Sequence, residues 1–253
     1  MKFKMLVLCA VTALTACATT SEHESTGHAA SQWSYEGDIG PEKWASLRQE
    51  YALCGSGQSQ SPINISDEKD MGLKPIKFHY AKSTRSRVIN NEHTIQVNYE
   101  PGSYAVIANK KYHLLQFHFH SPSEHQIYGQ NADMVAHLVH KSSDGLLAVV
   151  AVLFDKGTEN AFLKPVWQAM PENIGEAEVS TALDIKQLLP AKKTYYTYSG
   201  SLTTPPCSEN VNWNIMKQHV SVSDKQVSAF TDKFPISARP IQLRHGRFIS
   251  VVY

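Results

Sequence analysis

The chain has 253 residues, a formal charge of +1 and 42% hydrophobic content. That length fits one large domain or two small ones, with enough apolar residues for a sizeable core. The balanced charge shows neither a basic stripe nor an acidic run, which argues against nucleic acid as a partner.

At the N-terminus, Lys2 and Lys4 flank the start of a short apolar run, Met5 to Ala13. The run is too short for a stable membrane span and reads as a targeting segment. It ends in Leu14-Thr15-Ala16-Cys17, which resembles a bacterial lipobox. In such signals the cysteine becomes the lipidated N-terminus after cleavage; an ordinary secretory signal cut nearby is the alternative. The expected layout is a signal peptide over 1–16, lipidated Cys17 with a polar tether over 17–30, and one domain over 31–253. The tether is rich in Ser, Thr, Glu, His and Gly and has little to bury. The expected location is outside the cytoplasm, periplasmic or at the cell surface, with membrane contact only through the lipid anchor. Of four cysteines, Cys9 lies in the apolar run and Cys17 in the lipobox. Cys54 and Cys207 remain, an even pair in an oxidising compartment.

Further along, most of the chain reads as strand and turn. Arg87 to Tyr99 contains alternating segments, and further strands are expected over 104–108, 113–120, 134–140 and 146–154. A short helix is expected over 160–170, with Phe162, Val166 and Trp167 on its apolar side. A second is expected over 223–230, with Ser223 as cap and Gln226 at the capping-box position. No Gly-rich phosphate loop and no regular βαβ alternation occur. The pattern is that of a mainly β domain with few helices.

The densest chemistry lies in Leu115-Gln116-Phe117-His118-Phe119-His120 and Ala136-His137-Leu138-Val139-His140. In a strand, His118 and His120 share one face while Phe117 and Phe119 fill the other. His137 sits on a second apolar run that suits a neighbouring strand. Three neutral imidazoles with one open position are what a catalytic zinc needs. A His-x-His pair alone is more often an ordinary surface or core pair than a metal site. The surroundings add Gln116, which can orient an imidazole, then Ser123-Glu124-His125 and the run Ser201-Leu202-Thr203-Thr204-Pro205-Pro206-Cys207.

Together these motifs resemble the α-class carbonic anhydrases, over nearly everything from Trp33 to the C-terminus. The resemblance implies a single domain on a large central, mostly antiparallel, twisted sheet with the site in a conical cleft. It implies cis bonds at Ser61-Pro62 and Pro205-Pro206 and a disulfide between Cys54 and Cys207. It implies Zn2+ on His118, His120 and His137, with Gln116 as a hydrogen-bond partner of the ligand set. The metal would lower the pKa of its water to about 7, the value characteristic of this enzyme class itself. The resulting zinc hydroxide would attack CO2 reversibly to give bicarbonate and a proton. Thr203 would accept a hydrogen bond from that hydroxide and donate one to Glu124. Thr204 would border the substrate, and Val139, Val149, Leu202, Val211 and Trp213 would form an apolar wall for CO2. His93 would shuttle the proton, with Tyr35, Asn91 and Gln96 ordering the waters. Sulfonamides and small anions would inhibit.

One departure stands out. Many relatives place Glu two residues before the third zinc histidine, where this chain has Val135. Valine cannot accept the imidazole N–H, and His125 loses its expected partner. Two other readings are a non-catalytic carbonic-anhydrase-like surface binding protein and a zinc-binding lipoprotein.

Overall fold

The computed structural model describes residues 32–253. These belong to one compact unit; the signal segment, Cys17 and the tether lie outside the described residues. After the helical turns α1 (Trp44–Leu47) and α2 (Leu53–Ser56) come the short strands β1 (Asn64–Ile65), β2 (Lys69–Asp70) and β3 (Lys77–His79). Then follow β4 (Arg87–Asn90), β5 (Ile95–Asn98), β6 (Tyr104–Ile107), β7 (Lys110–His120), β8 (Gln126–Ile127), β9 (Met134–Ser142) and β10 (Leu147–Lys156). Helix α3 (Leu163–Gln168), β11 (Gly175–Glu178), β12 (Tyr195–Ser201), β13 (Glu209–Met216), β14 (Val220–Val222), α4 (Asp224–Thr231) and β15 (Ser250–Val252) complete the order.

The main sheet runs β11-β4-β5-β7-β9-β10-β13-β12-β15-β2. Most neighbours are antiparallel, but β10 pairs in parallel with β13 and β14, and β15 with β2, so the sheet is mixed. Strand β10 is nearly all aliphatic and buried from Ala148 to Phe154. A run without alternation suits a strand covered on both faces. Strand β7 starts earlier than its sequence pattern suggests, at Lys110. Ala108 and Asn109 have φ of 47° and 64°, the left-handed pair that closes a tight hairpin between β6 and β7.

The two faces carry separate apolar clusters. Phe117, Phe119, Leu138, Val150 and Val152 pack on one side with Leu163 and Val166 of α3 and Phe230 of α4. Val149, Ala151, Val211, Trp213 and Ile215 pack on the other with Ile63 and Ile65. Each fully buried large aliphatic side chain contributes about 1.5–3 kcal/mol.

Both expected helices form, with altered ends. Helix α4 has its capping box: Ser223 Oγ accepts the Gln226 N–H (3.3 Å) and Gln226 Oε1 accepts the Ser223 N–H (3.2 Å). Helix α3 is shorter than the expected 160–170. Asn160 Oδ1 instead accepts the Phe162 N–H in a turn, and Pro171 disfavours helix at Met170. Ser61-Pro62 and Pro205-Pro206 are cis, as the resemblance implies; Ser121-Pro122 is also cis. Cys54 and Cys207 are disulfide-bonded, with Cα atoms 5.0 Å apart and a sequence separation of 153.

Candidate metal centre

The register of β5, β7 and β9 builds the site. His118 pairs directly with His137 across the antiparallel β7–β9 ladder, and Gln96 of β5 pairs with His118. Cross-strand partners share a face, so His118, His120 and His137 converge. One ligand atom from each lies within 4.8 Å of the others. No carboxylate or thiolate belongs to the triad.

Fixed acceptors orient two of the rings. Gln116 Oε1 accepts from Nδ1 of His118 at 2.9 Å, and the Ser237 carbonyl accepts from Nδ1 of His120. Each bond places the ring proton on Nδ1 and leaves the Nε2 lone pair available. Nε2 of His120 is buried without a hydrogen-bond partner. Loss of hydration, reinforced by neighbouring imidazoles, holds His118 and His137 well below the ordinary histidine range. They are therefore neutral at physiological pH, the state that binds a metal. A three-imidazole set, with His120 and His137 buried, His118 half-buried and His120 Nε2 unsatisfied, fits a zinc ion with one open position.

Glu124 is buried beside the triad. Its Oε1 accepts the Arg239 N–H at 3.0 Å. Its Oε2 lies 3.6 Å from His120 Nε2 and 3.8 Å from His137 Nδ1, with no hydrogen-bond partner. The Thr203–Glu124 hydrogen bond implied by the resemblance is therefore not formed; Oε2 is turned to the imidazoles instead. Thr203 is buried nearby, in a loop held by the Cys207 N–H to Thr204 carbonyl bond (2.8 Å) and by the disulfide.

A cleft of about 180 Å³ gives access to the triad. His118, His120, Gln116, Gln96, Asn91, His93, Tyr35, Val139, Leu202 and Thr204 all line it, together with Trp33 and Thr94. Val149 pairs with Val139 on one side and Trp213 on the other, so the three side chains stand abreast on the triad's face. Trp213 is held by its Nε1–H to the Ser201 carbonyl (2.9 Å), and its ring centroid lies 4.9 Å from that of His137. Val211 is two residues earlier on the same face and is buried.

At the cleft's outer wall, His93 stacks on Trp33, centroids 3.6 Å apart and planes 13° from parallel. Asn91 Oδ1 accepts the N–H groups of His93 (3.1 Å) and Thr94 (2.9 Å), which fixes the turn between β4 and β5. Loss of hydration lowers the His93 pKa, and Glu92 opposes this less strongly. The Tyr35 hydroxyl is buried without a partner.

Sequence reading did not identify Ser237, Arg239 or Trp33 as contributors. Ser237 and Arg239 reach the site from 117 and 115 positions away from their partners. The Arg239 guanidinium also ties Cys54, Gln60 and Ser61 together through three bonds of 2.8 Å. No local pattern marks either residue.

A family model described as eukaryotic-type carbonic anhydrase matches residues 39–245. A carbonic anhydrase of Nostoc sp. is 41% identical, covering 94% of this chain and 91% of its own. A hyperthermostable carbonic anhydrase from a hydrothermal vent chimney superposes with a TM-score of 0.85 at 42% identity, covering 87% of this chain and all of that one. The Thermovibrio ammonificans α-carbonic anhydrase, solved with sulfanilamide, gives 0.84 at 41% identity, covering 86% and 98%. With the triad, cleft and sheet in the same chain as these similarities, the protein belongs to the α-class carbonic anhydrase family and is an enzyme of that family.

Proposed function

We propose that this enzyme interconverts carbon dioxide and water with bicarbonate and a proton, using zinc held by His118, His120 and His137. The observation that carries the reading is the His118–His137 register pair, which brings the three imidazoles together at the base of a cleft that His118 and His120 line. When bound, zinc supplies a Lewis acid that makes water a nucleophile near neutral pH.

The chain's own residues do the rest. Val139, Val149, Leu202, Val211 and Trp213 offer an uncharged wall to an uncharged substrate. Thr204 borders the same space and can hydrogen-bond to the anionic product. Thr203 orients the attacking oxygen, while Glu124, held through Oε1 by the Arg239 N–H, keeps its Oε2 beside the His120 and His137 imidazoles. His93 takes the released proton on its imidazole and passes it to solvent, with Tyr35, Asn91 and Gln96 arranging the water between. The sulfanilamide complex of the Thermovibrio neighbour supports sulfonamide binding in this cleft, and small anions are expected to compete there. We further propose export as a lipoprotein anchored through Cys17, periplasmic or at the cell surface, on the strength of the Leu14 to Cys17 motif.

The test is stopped-flow CO2 hydration by zinc-loaded and chelator-stripped protein. Activity lost on stripping and regained with one equivalent of zinc supports the reading. Hydration no faster than buffer in the zinc-loaded protein contradicts it.

A further inference from the structure

The segment between Arg239 and β15 makes a tight turn at Arg244-His245-Gly246-Arg247. The Arg247 N–H donates to the Arg244 carbonyl at 3.1 Å, and His245 and Gly246 have φ of 50° and 72°. Two central residues in the left-handed region are the mark of a type I′ turn. Both arginines fold back. Each donates from Nε to the other's carbonyl. Arg244 also reaches the Ser66 carbonyl (3.0 Å), and Arg247 reaches those of Gln60 (2.8 Å) and Leu243 (2.9 Å). The turn is thus pinned to the domain in one shape. Outside it stand Leu243 and Phe248, one on each limb, both 74% exposed. Ile241, two residues before Leu243, is exposed as well. Large apolar side chains grouped on fixed backbone gain nothing from water, and such groups mark contact sites.

The place where the chain enters the domain narrows the partner. Gln32, the first described residue, accepts from the Tyr51 hydroxyl at 3.2 Å. Tyr51 lies two residues before α2, and the Cys54 carbonyl of α2 accepts from Arg239 at 2.8 Å. The entry point and the start of the turn segment therefore share α2 as a support. Fifteen residues lead from Cys17 to Gln32, a reach of at most about 50 Å. That exceeds the radius of gyration of roughly 17 Å expected for a domain of this size. A lipid on Cys17 leaves the turn within reach of the bilayer.

We propose that the Leu243–Phe248 turn is a second membrane contact, which seats both side chains at the headgroup boundary and holds the domain in one orientation on the bilayer. The proposal rests on the lipid attachment at Cys17 put forward above. The contact is apolar, not ionic. Lys69, whose Nζ lies 5.9 Å from the Phe248 ring centre, and the two arginines are nearly balanced by Asp67, 3.9 Å from Arg244, and by Glu68. Two side chains do not hold a domain on a membrane alone, but beside an anchor they act at high effective concentration.

The probe is a vesicle of phosphatidylcholine with brominated acyl chains, carrying the zinc-loaded, lipidated full chain. A fluorophore is attached at His245→Cys, on the turn, or at Lys111→Cys, at the start of β7 and five strand steps from β15. Bromine should quench the label at position 245 and spare the label at position 111. Adding Leu243→Ser and Phe248→Ser should weaken quenching at 245 by about tenfold. Hydration of CO2 by this variant should stay at the parent rate, which shows that it folds. Added anionic lipid or salt should change the quenching by less than about twofold. The proposal is overturned if Cys17 carries lipid and position 245 is not quenched, if both labels are quenched alike, or if the serine variant is quenched like the parent. It is also overturned if the Cys17→Ser chain sediments as a dimer only while Leu243 and Phe248 are present, which would assign the turn to a second copy. Mass analysis separates the remaining failure: no lipid on the parent's N-terminus overturns the lipoprotein reading and this one with it.

Discussion

His125 and His137 lie with ring centroids 6.4 Å apart, and each keeps one buried nitrogen without a partner: Nδ1 of His125 and Nε2 of His137. The other His125 nitrogen is satisfied by the Tyr198 hydroxyl at 2.6 Å. Val135, two residues before His137 on β9, is buried among aliphatic side chains and offers neither ring an acceptor. The structure thus shows the physical consequence of the valine. One proposed zinc ligand lacks the outer hydrogen bond that orients the other two.

Val135→Glu is expected to slow zinc loss to a chelator, by up to the 10–100-fold that such partners typically contribute. A carboxylate there can accept from His137 Nε2 and meet His125. Its burial costs free energy unless it is paired, so thermal stability is measured alongside. A folded variant that releases zinc as fast as the parent would show that the valine site is already compensated.

Replacing His93 by alanine should lower kcat in weak buffer while leaving kcat/KM closer to the parent value, because proton export follows the conversion of CO2. Added imidazole should restore part of the rate. Burial lowers the His93 pKa, so the ring sheds its proton and becomes a neutral acceptor at a lower pH than an ordinary histidine, and the limb of the kcat–pH profile that it controls should be displaced to the acid side. Equal loss in both constants without rescue would assign His93 a structural role only.

Much of this was readable before the fold was known, and the reasons are local. His118 and His120 declare their common face by their spacing, and the apolar run at 146–154 declares a strand. Ser223 and Gln226 mark a helix start. The partners of Glu124 and His120 were unreadable because Arg239 and Ser237 come from more than a hundred positions away. The parallel pairing of β10 with β13 has no signature in either strand's composition. The shared row of Val139, Val149 and Trp213 depends on a register that only the assembled sheet fixes.

Reduction of the Cys54–Cys207 bond should lower thermal stability. Closing a loop of this length stabilises by at most about 5 kcal/mol in the chain-entropy view, which for a domain of this size corresponds to roughly 10–20 °C in Tm. The Thr203 loop should loosen first, since Cys207 anchors its end. An unchanged Tm after complete reduction, verified by thiol counting, would remove the bond from the stability account.

Cys17→Ser in the full chain should abolish membrane association, because the residue supplies the proposed lipid attachment point. Fractionation and mass analysis of the mature N-terminus read the result. Unchanged partitioning with no lipid mass on the parent would refute the lipoprotein proposal and leave the catalytic reading intact.

The most direct test of the central claim is zinc content and CO2 hydration measured together on the parent and on His118→Ala. The parent should hold one zinc and hydrate CO2. The variant, with one of three ligands gone, should lose more than about 100-fold in activity, beyond the range for removing an outer partner alone, and retain less than one equivalent of zinc under mild chelation. A variant that keeps a full equivalent of zinc and near-parent hydration would contradict the assignment of the triad as the catalytic centre.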